Sequence, residues 1–374
     1  MSREGVKRWS KIAGLVVLLS LPWWLPHLLW RLQAAPALRV RVVDYTVPFD
    51  NYAEHQGLLW LLNHWKIPGP RGEAWDPARD YIGYDPKDRA RPTRLSEAPL
   101  EGVDWVYLSD TYGVYEDDLE GIEAQQAHMD FNAPVFAGLS EGDAAALEAH
   151  AGRGGGLVVE FNSLCAPTPE AARVRVEALL GIRWTGWVGR LFLDLHDPED
   201  VPRWVPRLFE AQYPGRALPR APTLLLLDKD ARMVLLTGPD HEALAPLITL
   251  TPAGEAALGA LEPAAYFNWF ALIEASPEAD IYARLHLPEA AEARLLLEAH
   301  GIPARPPFLV VRPEARRAYF AGDFSEVDFD PGWAQMWEIA RLQERLYRGN
   351  RAPSARGSFW GFYAPALRRI LRVD

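Results

Sequence analysis

Three carboxylates are spaced along the chain so that each stands just past an inferred strand, alternating before Asp44 and mostly apolar before Asp110 and Glu160. Asp44 follows Leu38–Val43, Asp110 follows Val103–Leu108, and Glu160 follows Leu157–Val159. Apolar runs of this length, bounded by turn residues, read as buried parallel strands. In open α/β sheets the ligand crevice lies outside the carboxyl ends of the strands. Acids converging there can run general acid/base chemistry, hold a metal or bind sugar hydroxyls. They can equally cap the next helix or pair with an arginine such as Arg190. Glu160 and Asp110 are the candidate acid/base pair, with Asp44 or Asp323 assisting.

Tyr112, Trp184 and Trp187 can offer flat apolar faces beside such a crevice, although Trp184-Thr-Gly-Trp-Val-Gly reads more simply as a packing loop. Arg190 suits a carboxylate or phosphate. The single cysteine, Cys165, excludes an intramolecular disulfide, and no Gly-x-Cys-x-Gly elbow or paired histidine surrounds it. Neither a Gly-x-Ser-x-Gly, a P-loop, a dinucleotide fingerprint nor a His-Glu-x-x-His occurs. The glycines 154–156 precede a strand, the wrong side for cradling phosphate. No cofactor and no metal are expected.

These residues need a β–α scaffold to bring them together. After the strand ending at Asp44, Tyr52–Trp65 is apolar at helical spacing. A Pro- and Gly-rich loop carries a short strand near Tyr81–Tyr84, and the strand ending at Leu108 follows. Glu116–Met129 is polar, and Val135–Leu139 reads as extended. Ser140, with Asp143 three residues on, caps a helix over Glu141–Ala151. The strand after the glycines leads into a helix over Glu170–Leu180. This β–α–β–α–β–α order implies a mostly parallel sheet covered on both faces. Thr223–Leu227 and Met233–Thr237 form a hairpin around Asp228–Ala231. Further strand candidates make 222–290 an antiparallel β insertion. A helix over Glu289–His300 and a second hairpin, ending before Asp323, complete a domain spanning 38–325. The tail, 326–374, holds helices near Trp333–Tyr347 and Phe359–Leu371, and residues 341–374 carry eight arginines. Trp360, Tyr363, Leu367, Ile370 and Leu371 share one face, suited to docking on the domain or lying on a membrane surface.

Ile12–Leu32 is apolar over 21 residues with no charge before Arg31, preceded by Arg3, Lys7, Arg8 and Lys11. That is long enough to span a bilayer. The basic flank favours a cytoplasmic amino end at 1–11, and the length of the apolar stretch favours an uncleaved anchor over a signal peptide cut at Ala35-Pro36-Ala37; either reading places the domain outside the cytoplasm. From Gln33 onward the chain has 34 basic and 49 acidic residues, which argues against nucleic acid as a partner.

Val103–Asp110, the helix Glu141–Ala151 and the run Gly154–Val159 resemble the class I glutamine amidotransferase-like, flavodoxin-like α/β fold. Arg317–Asp323 resembles the last strand of non-amidotransferase relatives such as the trimerisation domains of β-galactosidases. The whole chain is also similar to membrane-anchored bacterial proteins sharing the opening Asp44-Tyr45-Thr46-Val47-Pro48 and Glu54-His55. The amidotransferase elbow cysteine and its His-x-Glu pair have no counterpart, so the resemblance implies a fold and carries over no catalytic residue. Two readings follow. One is a non-catalytic envelope protein that binds polysaccharide or a membrane or envelope partner. The other is a carbohydrate-active hydrolase or lyase built on Glu160 and Asp110.

Overall fold

The structure, a computed structural model, describes residues 3–89, 92–119, 133–198, 200–327 and 335–373. Most of the polar stretch Glu116–Met129 lies outside them, as does the start of the expected helix at Trp333.

Fifteen strands are present among the described residues: β1 (Val40–Asp44), β2 (Tyr81–Gly83), β3 (Trp105–Asp110), β4 (Val114–Tyr115), β5 (Pro134–Phe136), β6 (Gly156–Glu160), β7 (Ile182–Phe192), β8 (Thr223–Asp228), β9 (Met233–Thr237), β10 (Leu247–Leu250), β11 (Ala264–Ala265), β12 (Phe270–Ala275), β13 (Asp280–His286), β14 (Pro307–Arg312) and β15 (Arg317–Phe320). Nine of them form one sheet in the order β11-β10-β13-β14-β15-β6-β3-β1-β2. The five strands from β2 to β15 run parallel, and the four beyond β15 are antiparallel. The parallel strands are built from Val, Leu, Ile and Tyr and are buried almost throughout, as strands covered on both faces must be.

Chain order along the parallel strands reverses between β1 and β3. Right-handed crossovers in opposite directions put their helices on opposite faces. Accordingly, the helix Ala53–His64 packs with the tail, Trp60 meeting the edge of Trp360 at 5.3 Å. Helices Glu141–Gly152 and Glu170–Leu180 pack together on the other side. The first of these starts as its sequence requires: Ser140 Oγ accepts from the Asp143 N–H at 3.1 Å, and Asp143 accepts from the Ser140 N–H at 2.9 Å.

Trp184-Thr-Gly-Trp-Val-Gly is not a loop. It is the middle of β7, the longest strand, and it pairs with β12 and β8 in a four-stranded antiparallel sheet completed by β9. Gly186, at φ 90°, accommodates a bulge where the register with β12 shifts. The glycine that reads as a loop signal is thus a strand irregularity. The strands of 222–290 divide between the sheets: β8, β9 and β12 join β7, while β10, β11 and β13 extend the large sheet. A small second core, centred on Phe192, Val205, Phe209 and Leu225, lies under the helix Trp204–Gln212.

The amino-terminal helix runs from Arg3 to Leu32. Its Lys11–Leu32 portion, 22 residues of mean hydropathy 1.8, is long and apolar enough to cross a membrane. The tail docks on the domain: Phe359, Phe362, Tyr363, Leu367 and Leu371 are buried.

Candidate functional site

The strand order places the carboxyl ends of β1 and β3 side by side, and Asp44 stands in register with Asp110. This is the topological switch point, where crevices open in sheets of this kind. β6 and β15 bring Glu160 and Asp323 to the same edge.

Asp44 is fully buried. Its Oδ1 accepts from the Thr46 N–H at 2.9 Å, and its Oδ2 lies 2.7 Å from His55 Nδ1. His55, in the first turn of the next helix, uses Nε2 against the Pro77 carbonyl at 2.9 Å. Burial and the neighbouring Asp110 raise the Asp44 pKa well above its ordinary value, and burial lowers that of His55. Both shifts favour neutral partners.

Asp110 is half-buried. Its Oδ1 accepts from the Thr46 hydroxyl at 2.7 Å and the Tyr112 N–H at 2.5 Å, while Oδ2 accepts from Asn162 Nδ2 at 3.3 Å. Burial pushes its pKa up to about 6 despite these donors. Tyr112 is 40% exposed beside it and stands 4.9 Å, ring to ring, from Tyr115. Asp323 accepts from Asn268 at 3.3 Å. Its pKa is raised well above the ordinary range by burial, with Glu326 next in weight. Glu54, beside Asp44, is raised to about 9, again by burial first.

Glu160 has a different surrounding. Its Oε1 accepts from the hydroxyls of Tyr107, Ser325 and Tyr363, and its Oε2 from the N–H groups of Phe324 at 2.8 Å and Ser325 at 3.0 Å. Five protein donors fill the carboxylate, and it is 1% exposed. Burial raises its pKa against the opposing pull of those donors. The group ties β6, the loop after β15 and the tail together, and leaves no oxygen facing solvent.

Trp184, Trp187 and Arg190 are not brought to this edge. The two tryptophans are buried in the second sheet, with Trp184 Nε1 donating to the Trp187 carbonyl at 2.9 Å. Arg190 pairs with Asp200. Cys165 is 3% exposed, its thiol turned to the Phe161 carbonyl at 3.6 Å and its pKa raised by burial, the opposite of an activated nucleophile. Among the described residues no group of three or more His, Cys, Asp or Glu side chains is arranged to hold a metal.

The residues that composition alone did not single out as partners are Thr46, Asn162, Tyr107, Ser325 and Tyr363. Thr46 and Asn162 lie two residues past strand ends, Tyr107 lies within β3, Ser325 in the loop after β15 and Tyr363 on the tail, and only tertiary contact joins them. The Glu54-His55 pair was visible in the sequence, two positions inside a predicted helix that follows an acid-terminated strand.

No protein-family model and no curated protein matches the chain. Among solved structures it is similar to a ThuA-like protein from Parabacteroides merdae at 11% identity, with a TM-score of 0.38 over 77% of this chain and 79% of that one. It is also similar to a ThuA-like protein from Bacteroides uniformis at 11% identity, with a TM-score of 0.30 over 79% and 87%. Likenesses this loose carry no argument about site or activity, and the fold class stands on the strand order itself.

Proposed function

We propose that the chain is a membrane-anchored, extracytoplasmic binding protein of the bacterial cell envelope, whose switch-point crevice takes polysaccharide or a sugar-bearing envelope partner. The observation that carries this reading is the pairing of a half-buried acceptor, Asp110, with the exposed Tyr112 ring. A carboxylate beside an aromatic face suits a sugar, which offers hydroxyl donors on its rim and an apolar C–H face. The remaining acids of the edge are engaged by protein donors or held neutral, which favours a binding role over turnover. The test is affinity for fragments of envelope polysaccharide. Tyr112→Ala and Asp110→Asn should each weaken binding at least about tenfold, the loss of one good contact; unchanged affinity in both would remove the site.

The hydrolase or lyase reading keeps one point in its favour: a carboxyl with a pKa of about 6 is suited to general acid work. Against it stands Glu160, which has no unoccupied oxygen to offer. Product formation from the same glycans, abolished by Asp110→Asn and by Glu160→Gln, would establish it over the binding role.

A further inference from the structure

The edge of the sheet opposite the crevice holds a second feature. The helix Ala53–His64 runs back against β1, so His64 lies at the amino edge. There the His64 carbonyl accepts from Trp30 Nε1 at 2.9 Å, and Lys66 Nζ donates to the carbonyls of Arg31 at 2.8 Å and Gln33 at 3.1 Å. The apolar amino-terminal helix therefore meets the domain at this edge.

At the same edge lies a cavity of about 130 Å³ whose polar lining is dominated by Arg316, Arg317, Arg369 and Arg372, with Trp105 as one wall. It adjoins a recess of about 270 Å³ that shares Trp105, Arg316 and Arg372 and reaches Pro36, Ala37 and Leu38, the link from the anchor. Among the described residues no aspartate or glutamate lines either space. Arg317 is only 5% exposed, and its Nη1 donates to the carbonyls of Gly155 at 2.6 Å and Arg316 at 3.0 Å. Arg316 lies over Trp105 at 4.7 Å and donates to the carbonyls of Gly154 at 3.1 Å and Asp104 at 3.2 Å. Backbone carbonyls thus hold two guanidinium groups in place, and no salt bridge to a carboxylate is made by Arg316, Arg317 or Arg372 among the described residues.

A buried guanidinium among other guanidiniums carries a desolvation and repulsion cost that an anion offsets. Several planar forks around one small space match an anion with several oxygens better than a single carboxylate. We propose that this cavity binds a phosphate group. On the membrane-anchored reading above, its nearness to the anchor link makes the headgroup of an anionic phospholipid the natural source, free phosphate being the other.

The test uses the full chain in detergent, with inorganic phosphate titrated against thermal unfolding at ionic strength matched with chloride. The wild type should show a saturable rise in Tm, and Arg316→Gln/Arg372→Gln should weaken it at least tenfold. Those two positions are chosen because Arg316 is half-buried and Arg372 exposed, whereas Arg317 is buried and its replacement risks the fold; the Tm of the double variant without phosphate checks that its fold is intact. A second arm reconstitutes both proteins in phosphatidylcholine vesicles with and without phosphatidylglycerol, re-extracts them, and counts retained lipid by mass spectrometry. Selective retention of phosphatidylglycerol by the wild type assigns the headgroup, while a phosphate response without retention assigns a soluble phosphate. Equal behaviour of wild type and double variant in both arms overturns the site. Alkaline extraction of the wild type tests the anchor separately: a chain that leaves the membrane yet answers to phosphate keeps the site and loses only the lipid source.

Discussion

Pro77 offers His55 a carbonyl oxygen, which can only accept, so the proton on the imidazole Nε2 is fixed there. Nδ1 then faces Asp44 Oδ2 at 2.7 Å either as a bare acceptor or as part of a charged ring. The raised pKa of Asp44 and the lowered pKa of His55, both led by burial, select the bare acceptor, with the shared proton on the acid. The consequence is specific. Asn at position 44 keeps an acceptor for the Thr46 N–H and a donor for Nδ1, so Asp44→Asn should cost less than about 1.5 kcal/mol in denaturant unfolding, within the range of one hydrogen bond. An ion pair would instead leave a buried imidazolium unpaired, at about 3–5 kcal/mol, and a loss of that size would refute the neutral pair. Asp110 makes a pH prediction. Its folded pKa of about 6 lies above the unfolded value of about 4. Between the two the folded state binds the extra proton, so this group's contribution to stability falls as pH rises from about 4 to about 6 and stays low above that. Asp110→Asn should flatten that part of the stability–pH curve and be at least as stable as wild type at pH 7. An unchanged curve would show that Asp110 titrates normally.

Strands β1 and β2 meet at this site only because one position gives way. The carbonyl of Asp44 lies where a side chain at Gly83 would stand: an added Cβ would be 1.6 Å from it. Gly83→Ala should therefore push β2 off β1 and cost at least about 3 kcal/mol, the upper end of overpacking penalties. Gly152, at the end of its helix with open space around it, serves as the control, and Gly152→Ala should be neutral or slightly stabilising in the same melt. The tail is attached by the same logic of few contacts with large effect. The Tyr363 hydroxyl reaches Glu160 at 3.0 Å and Tyr107 at 2.6 Å, and its ring stacks on Phe324 at 5.0 Å. Tyr363→Phe keeps the stack and removes the donor, and should cost about 1–2 kcal/mol; no change would mean that the tail is held by its apolar face alone. These contacts show where sequence reading stops. Period and punctuation marked β1, β3, β6 and their helices, because an apolar run ending in an acid carries its own boundary. They misread β7, because Gly186 and Gly189 look like loop residues unless the bulge and the Phe270 ring packed over Gly189 are known. The partners of Glu160 were invisible for a simpler reason. Tyr107, Ser325 and Tyr363 span 256 positions between them, and no local pattern encodes a contact of that range.

The molecule as a whole has two unlike ends. The amino edge of the parallel sheet meets the apolar helix through Trp30, Lys66 and His64 and carries the arginine cavity. The carboxyl edge carries Asp44, Asp110 and Asp323. β3, six residues long, separates the two by roughly 20 Å at the usual strand rise. A helix seated in a bilayer would hold the basic edge toward anionic headgroups and turn the opposite edge, where Asp110 is half-buried, away from them. The side of the membrane on which this happens is the last matter to test. Arg3, Lys7, Arg8 and Lys11 precede the apolar stretch, while Arg31 lies at its far end and Arg39 and Arg41 follow it. Basic excess on the amino flank retains that flank in the cytoplasm. An alkaline phosphatase fused after Val373 should be active in cells, since the enzyme needs the oxidising exterior to form its disulfides, and a fluorescent reporter confined to reducing compartments should stay dark. Replacing Arg3, Lys7, Arg8 and Lys11 by Gln should lower the phosphatase signal by letting a fraction of chains invert. A silent phosphatase with a bright cytoplasmic reporter would put the crevice inside the cell, and the envelope polysaccharide would then be excluded as its ligand.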